Sequence, residues 1–368
     1  MKRSHILFVS VLVVTVGLLS ACKLGRFVWY NFADLNDYKI FPKRELKAST
    51  NPFEFYIASR EEKPTDARYN GVDMPFDDFL KETKSVAFLV IRNDSILYER
   101  YFDNYDAASI VPSFSMAKSV TSMLIGCAID DGLIGSVQDP VSKYIPTMAK
   151  NGFDKVTIAH LLQMTSGIKF NEGYYNPFGE VATFYYGVNL RKASEKLKLE
   201  AEPGTHFAYA SGNTQLLGAI LDRVLSGKTV TEYLNEKIWQ PIGMEYDASW
   251  SIDRKKNGIE KTFCCLNARA RDFAKLGRLY LNKGNWQGKQ LVSENWVKES
   301  TRVDSTAGSD KYYQYQWWLP TLNGDFLARG ILGQYIYVNP DKNLLIVRLG
   351  HKVSANWPRE FVRLARAY

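Results

Sequence analysis

The chain has 368 residues, 46% of them hydrophobic, and a formal net charge of +8. This length and composition exclude a disordered chain and allow a large buried core. The basic residues are spread, with no long Lys/Arg run and no zinc-spaced Cys/His cluster. The charge therefore reads as solubility and weak attraction to anionic surfaces, and no nucleic-acid partner is expected.

The first element is a targeting segment. Met1-Lys2-Arg3 is a basic start, and Ile6 to Leu19 is an apolar run too short and wrongly flanked for a spanning helix. It ends in Leu19-Ser20-Ala21-Cys22, which resembles a bacterial lipoprotein lipobox. That resemblance implies residues 1–21 as a signal peptide, cleavage before Cys22, and lipidation of Cys22 as a membrane anchor. An ordinary secretory signal with an incidental cysteine is the alternative. Either way the expectation is an exported protein of a bacterial envelope. Lys23, where an acidic residue often marks inner-membrane retention, leans towards the outer membrane. Residues 22–60 are aromatic without a clear period and read as the anchor and an arm leading to a body over 61–368.

Val86–Ile91 and Ile96–Phe102 are β-type runs separated by Arg92-Asn93-Asp94-Ser95, a hairpin signal. A helix carrying Ser115 follows and ends at Gly132, a C-cap candidate. The middle third is mostly helical. Thr157–Met164 starts with a Thr cap, and Thr214–Leu225 and Thr229–Trp239 place apolar residues at helical spacing. Asn267–Gly284 reads as another helix. β-type runs return at Tyr335–Val338 and Leu344–Leu349, and an amphipathic helix over Pro358–Ala367 closes the chain. Strands at both ends with helices between predict an α/β (α+β) fold: one sheet built from both chain ends, beside a helical subdomain over roughly 135–260.

The chemistry rests on Val-Pro-Ser-Phe-Ser-Met-Ala-Lys, residues 111–118. A serine hydroxyl is a poor nucleophile until a base takes its proton. A lysine can be that base only if its pKa falls well below its solution value. A helix N-terminus disfavours a nearby ammonium and offers free N–H groups to an oxyanion. Three-residue spacing puts Ser115 and Lys118 on one helix face, and burial of Lys118 would depress its pKa further. The pattern Ser-x-x-Lys alone is weak, since roughly one or two matches arise by chance in such a chain. A second match, Ser166–Lys169, follows a helix rather than opening one.

Context is more specific. Phe114–Pro146 resembles the active-site region of the serine β-lactamase-like superfamily: class C β-lactamases, penicillin-binding D-alanyl-D-alanine carboxypeptidases, esterases and 6-aminohexanoate-dimer hydrolases. The resemblance continues in order through Val156–Pro177, Glu202–Leu221, Pro241–Met244, Asn267–Val292 and Ala328–Pro340. It implies Ser115 as the acylated nucleophile, Lys118 as its base partner and Tyr209 as the proton shuttle. A phenol beside a cationic Lys118 is expected to have a lowered pKa. Ser211 stands where class C enzymes carry an asparagine that contacts substrate. In the third box, Ala328-Arg329-Gly330, the family's leading cation is missing and Arg329 is the available substitute. Gly330 keeps a close backbone approach, and the N–H groups of Ser115 and Ile331 are implied as the oxyanion hole. Tyr174 matches a loop tyrosine that closes on the amide in aminohexanoate-dimer hydrolases.

The expected function is an exported serine hydrolase acting on a small ester or amide, with no metal and no cofactor. A β-lactamase or carboxypeptidase ranks lower because of the altered third box. A non-catalytic binding or sensor lipoprotein on the same fold is the rival from another class. A Ser-His-Asp triad through His206 or His160 lacks a G-x-S-x-G elbow. Cys127 reads as a buried apolar side chain, and adjacent Cys264 and Cys265 are not expected to bridge. Oligomeric state is left open.

Overall fold

The computed structural model describes residues 23–30 and 32–368. The targeting run and Cys22 lie outside the described residues. Among the described residues no helix is long and apolar enough to cross a membrane.

The main sheet has eight strands: β1 (Tyr56–Ile57), β2 (Ser85–Arg92), β3 (Ser95–Tyr101), β4 (Tyr313–Gln314), β5 (Trp317–Trp318), β6 (Phe326–Gly330), β7 (Gln334–Asn339) and β8 (Leu344–Gly350). Their spatial order is β4-β5-β6-β7-β8-β2-β3-β1. Both ends of the chain therefore build one sheet, as the sequence predicts. All neighbours are antiparallel except β1, which joins β3 in parallel. The β2–β3 hairpin turns on Asn93 and Asp94, both with φ above +50°. Asn and Asp tolerate that region better than most residues, which favours the tight turn.

Strand alternation divides the core. Leu89, Ile91, Leu345 and Val347 face the larger cluster, which extends into the helical middle of the chain. Phe88, Val90, Leu344 and Ile346 face a second cluster on the opposite side of the sheet. Four helices matter most: α1 (Met116–Asp130), α2 (Ser211–Val224), α3 (Ala270–Leu281) and α4 (Trp357–Ala367). α3 lies on the first face, where a Cβ at Gly277 would come within 2.7 Å of Ile336. α4 covers the second face, with Phe361 ring-to-ring against Tyr335 and Tyr337.

Several local expectations hold. Thr157 caps its helix in a reciprocal capping box with His160, and Thr229 makes a further such box, with Glu232, that the sequence reading did not include. α1 ends near Gly132, which has φ +72°. Others change. The helix expected from Asn267 begins only at Ala270, because Leu266–Ala268 is a strand paired with Val111–Pro112 and Ala248–Ser251. The segment read as an arm is packed into the body. Its strand Lys43–Leu46 pairs with Ala248–Ser251, and Leu35, Phe41, Leu46 and Phe55 are buried in the larger core. Phe41, Phe53 and Phe55 pack against other elements of the body, whereas Phe32 and Tyr56 are exposed. Cys264 and Cys265 form a disulfide, contrary to expectation. Cys265 sits at φ +71°, in a tightly turned segment that brings the neighbouring sulfurs together. Cys127 is buried with a free thiol, as expected.

Candidate active site

Two helix N-termini converge on the site. Ser115 is the residue before α1, and Ser211 is the first residue of α2. The chain reaches Ser115 through Phe114, which is buried and held at φ +44°. A bulky residue in the left-handed region costs of order 1 kcal/mol or more and persists only where its surroundings enforce it. Here the preceding residue, Ser113, is tied on both sides. Its N–H donates to the Leu266 carbonyl at 2.7 Å, and its Oγ accepts from the Leu266 N–H at 3.1 Å.

Lys118 lies one turn into α1 and is 1% exposed. Its Nζ bonds Ser115 Oγ at 3.1 Å, Ser211 Oγ at 3.0 Å and the Phe263 carbonyl at 2.9 Å. It faces the rings of Tyr209 and Phe263 at 5.1 and 5.6 Å. Burial lowers its pKa to about 8, against a smaller upward pull from Glu172. A free amine is therefore accessible near neutral pH, within hydrogen-bond reach of a serine oxygen.

The Tyr209 phenol hydrogen-bonds the Ser115 side chain. The sequence reading expects its pKa to fall; in the structure it rises instead. Burial pushes it up, the nearby Glu172 carboxylate adds to the rise, and the bond to Ser115 only partly offsets them. Tyr209 is thus a neutral phenol, able to relay a proton but not resting as a phenolate.

Glu172 escaped the sequence reading. Its carboxylate accepts from Ser211 N–H at 2.8 Å, Ser211 Oγ at 2.6 Å and Tyr174 OH at 3.0 Å. It caps α2 from a distant loop, where the helix dipole favours an anion. Nothing local in Asn-Glu-Gly-Tyr-Tyr foretells this, since Ser211 is 39 residues away. Ser211 is thereby drawn into a Lys118–Ser211–Glu172 chain. Tyr174 lies in the cleft wall beside Ser115, and burial and Glu172 push its pKa up.

The third box edges the site on β6. A Cβ at Gly330 would meet the Ser113 carbonyl oxygen at 2.4 Å, so the strand lies directly against the approach to Ser115. Ala328 is buried, whereas Arg329 is exposed, 5.5 Å from the Trp318 ring. Ile331 follows in a tight turn with Leu332 at φ +62° and Gly333 at φ +86°. Arg348, from β8, clamps that turn. Its guanidinium donates to the carbonyls of Leu332 at 3.1 Å, Gly333 at 2.7 Å and Thr83 at 2.7 Å, and to Ser85 Oγ at 3.0 Å. This buried cation was also missed, because its partners come from separate parts of the chain.

The remaining candidates do not assemble. Ser166 is buried and Lys169 exposed, so the second Ser-x-x-Lys is not a pair. His160 is engaged in its capping box, and His206 is exposed beside Thr205. Among the described residues neither hydrogen-bonds Ser115, whose side chain meets Lys118 and Tyr209.

Comparisons with known proteins fit this geometry. The β-lactamase family model matches residues 76–367. The chain is 29% identical over 300 residues to a 6-aminohexanoate-dimer hydrolase of Paenarthrobacter ureafaciens, covering 76% of this chain and 74% of that protein. A solved Bacillus anthracis structure, provisionally described as a 6-aminohexanoate-dimer hydrolase, superposes with a TM-score of 0.81 at 25% identity. It covers 90% of this chain and 92% of the other. A family VIII carboxylesterase shares the fold, with a TM-score of 0.61 at 19% identity over 79% of this chain and 94% of that one. With most of its length matched and its elements in the family's order, the chain belongs to the β-lactamase family and has the fold of its hydrolases.

Proposed function

We propose that this protein is a serine hydrolase that cleaves an ester or amide through an acyl-enzyme on Ser115. The observation that carries the reading is the 3.1 Å contact between Ser115 Oγ and the buried Lys118, whose pKa is lowered to about 8. Lys118 as the free amine takes the Ser115 proton as Oγ attacks the carbonyl carbon. The N–H groups of Ser115 and Ile331 receive the developing oxyanion. Tyr209 passes a proton to the leaving alcohol or amine as the carbon–heteroatom bond breaks. Water then attacks the acyl-enzyme, the same groups manage its proton, and Ser115 is released with the acid product. Tyr174, which borders the cleft beside Ser115, would turn its hydroxyl from Glu172 to a leaving amine, and the likeness to 6-aminohexanoate-dimer hydrolases supports a linear amide among the substrates. The absent leading cation at Ala328 places β-lactams below such substrates. In the same reading, acyl chains on Cys22 hold the enzyme to a bacterial envelope membrane, a point that mass spectrometry of the mature N-terminus tests directly.

The deciding experiment compares initial rates of wild type and Ser115→Ala on p-nitrophenyl butyrate, a linear amide and a cephalosporin. Ester or amide turnover lost in the variant is expected. Equal behaviour of the two proteins would overturn the reading.

A further inference from the structure

Ser115 stands between two chambers. One, of about 240 Å³, reaches back from Ser115 and Phe114 to Phe32, Ala33, Tyr185 and Tyr186, and among the described residues no charged side chain lines it. The other, of about 380 Å³, contains Tyr209, Trp318 and Arg329. Ser115, Tyr174, Ile331 and Leu332 border both. Resting on the function proposed above, Tyr209 protonates the leaving group, so the leaving group occupies the second chamber. The acyl group is left with the first.

The far wall of that first chamber comes from the N-terminal segment, outside the matched family region 76–367. Several contacts fix it in place. Phe27 and Phe41 meet Tyr186 and Tyr185 edge-on at 5.5 and 5.1 Å. Phe32 meets Tyr175 at 5.0 Å. The Asp37 carboxylate accepts the Tyr185 hydroxyl proton at 2.6 Å, so that hydroxyl is already satisfied by the N-terminal segment. What remains for a ligand is mainly hydrocarbon surface and aromatic rings, with few polar partners. A charged acyl terminus there would lie against rings and hydrocarbon with no counter-ion among the described lining residues.

We propose that Phe32 and Ala33 form the end wall of an acyl subsite, and that the substrate class is an ester or amide with an uncharged, apolar acyl chain. At about 30 Å³ per water-sized group, the chamber accepts a chain of roughly six to eight heavy atoms. Each buried methylene contributes about fourfold in kcat/KM.

The test is a series of p-nitrophenyl esters from acetate to decanoate, with 6-aminohexanoate set against hexanoate. Purified wild type, Ala33→Trp, Phe32→Ala and Ser115→Ala are compared. For wild type, kcat/KM is expected to rise at least tenfold from acetate to an optimum between butyrate and octanoate, and the ω-ammonium ester to fall at least tenfold below hexanoate. The octanoate-to-acetate ratio, which does not depend on the amount of active protein, should drop in Ala33→Trp. In Phe32→Ala the optimum should move to longer chains, which keeps the test intact if the tryptophan variant does not fold. A flat chain-length profile, or preference for the ω-ammonium ester, overturns the subsite while Ser115-dependent acetate hydrolysis leaves the serine hydrolase standing. Acetate hydrolysis unchanged in Ser115→Ala overturns the hydrolase reading itself.

Discussion

If Lys118 is the base, its protonation state sets the rate, and the structure gives both the midpoint and its sign. Only the free amine can accept the Ser115 proton. With a pKa lowered to about 8, about a tenth of the protein carries it at pH 7. The expected kcat/KM on p-nitrophenyl butyrate therefore rises about tenfold per pH unit up to about pH 8 and levels off above about pH 9. Replacing Glu172 by Gln tests the origin of that midpoint. Glu172 and Lys118 both bond Ser211 Oγ, which keeps the two charges within about 6 Å; at an effective dielectric of ~20 their attraction is about 3 kcal/mol. Glu172 is half-exposed, so solvent screening reduces this substantially. Removing the anion should lower the Lys118 pKa by roughly one unit and move the rising limb to lower pH. The same shift has a stability consequence. Lys118 titrates below its unfolded value, so between about pH 8 and its unfolded pKa the unfolded chain holds more protons. This residue's contribution to stability therefore rises with pH across that window, relieving an order of 3 kcal/mol of buried-charge cost. Rates would be measured at constant ionic strength from pH 5.5 to 10. A flat profile, a midpoint near the solution value of lysine, or an upward shift in Glu172→Gln would refute the base assignment.

Three further substitutions probe the frame around the pair. Gly330→Ala would drive a Cβ to 2.4 Å from the Ser113 carbonyl, so β6 must move away from Ser115; activity should fall at least tenfold and stability by about 1–3 kcal/mol, read by kcat and chemical denaturation. Arg348→Lys keeps the charge but cannot fork to four acceptors on separate segments; kcat should fall about tenfold or more with KM little changed, while circular dichroism stays native. A proportional loss of folded protein instead would mean the clamp only supports the fold. Tyr174→Phe removes the phenol that bonds Glu172 at the cleft wall, and should slow a linear amide at least tenfold more than the matching ester. Equal losses would remove any role for Tyr174 with the leaving amine.

Much of this protein is legible in its sequence because the deciding interactions are short-range. The Asn93–Asp94 hairpin, the Thr157 cap and the Gly132 helix end all use hydrogen bonds or backbone preferences spanning two to four residues. Ser115 and Lys118 share a helix face for the same reason, and Val120, Met123, Leu124 and Cys127 along α1 mark it for burial, though the structure buries it nearly all round. Where sequence reading failed, the partner was remote or the solvent decided. Glu172 reaches Ser211 across 39 residues, Phe263 reaches Lys118 across 145, and Arg348 gathers acceptors from both ends of the chain. No period or motif encodes such meetings; they exist only after the sheet and helices have packed. The Tyr209 pKa failed differently: its neighbouring lysine was foreseen, but its loss of water and the carboxylate beside it were not. Spacing along the chain determined which groups could form the pair, while the tertiary structure decided their charge states and walled the cleft, because desolvation and electrostatics depend on everything packed around a group.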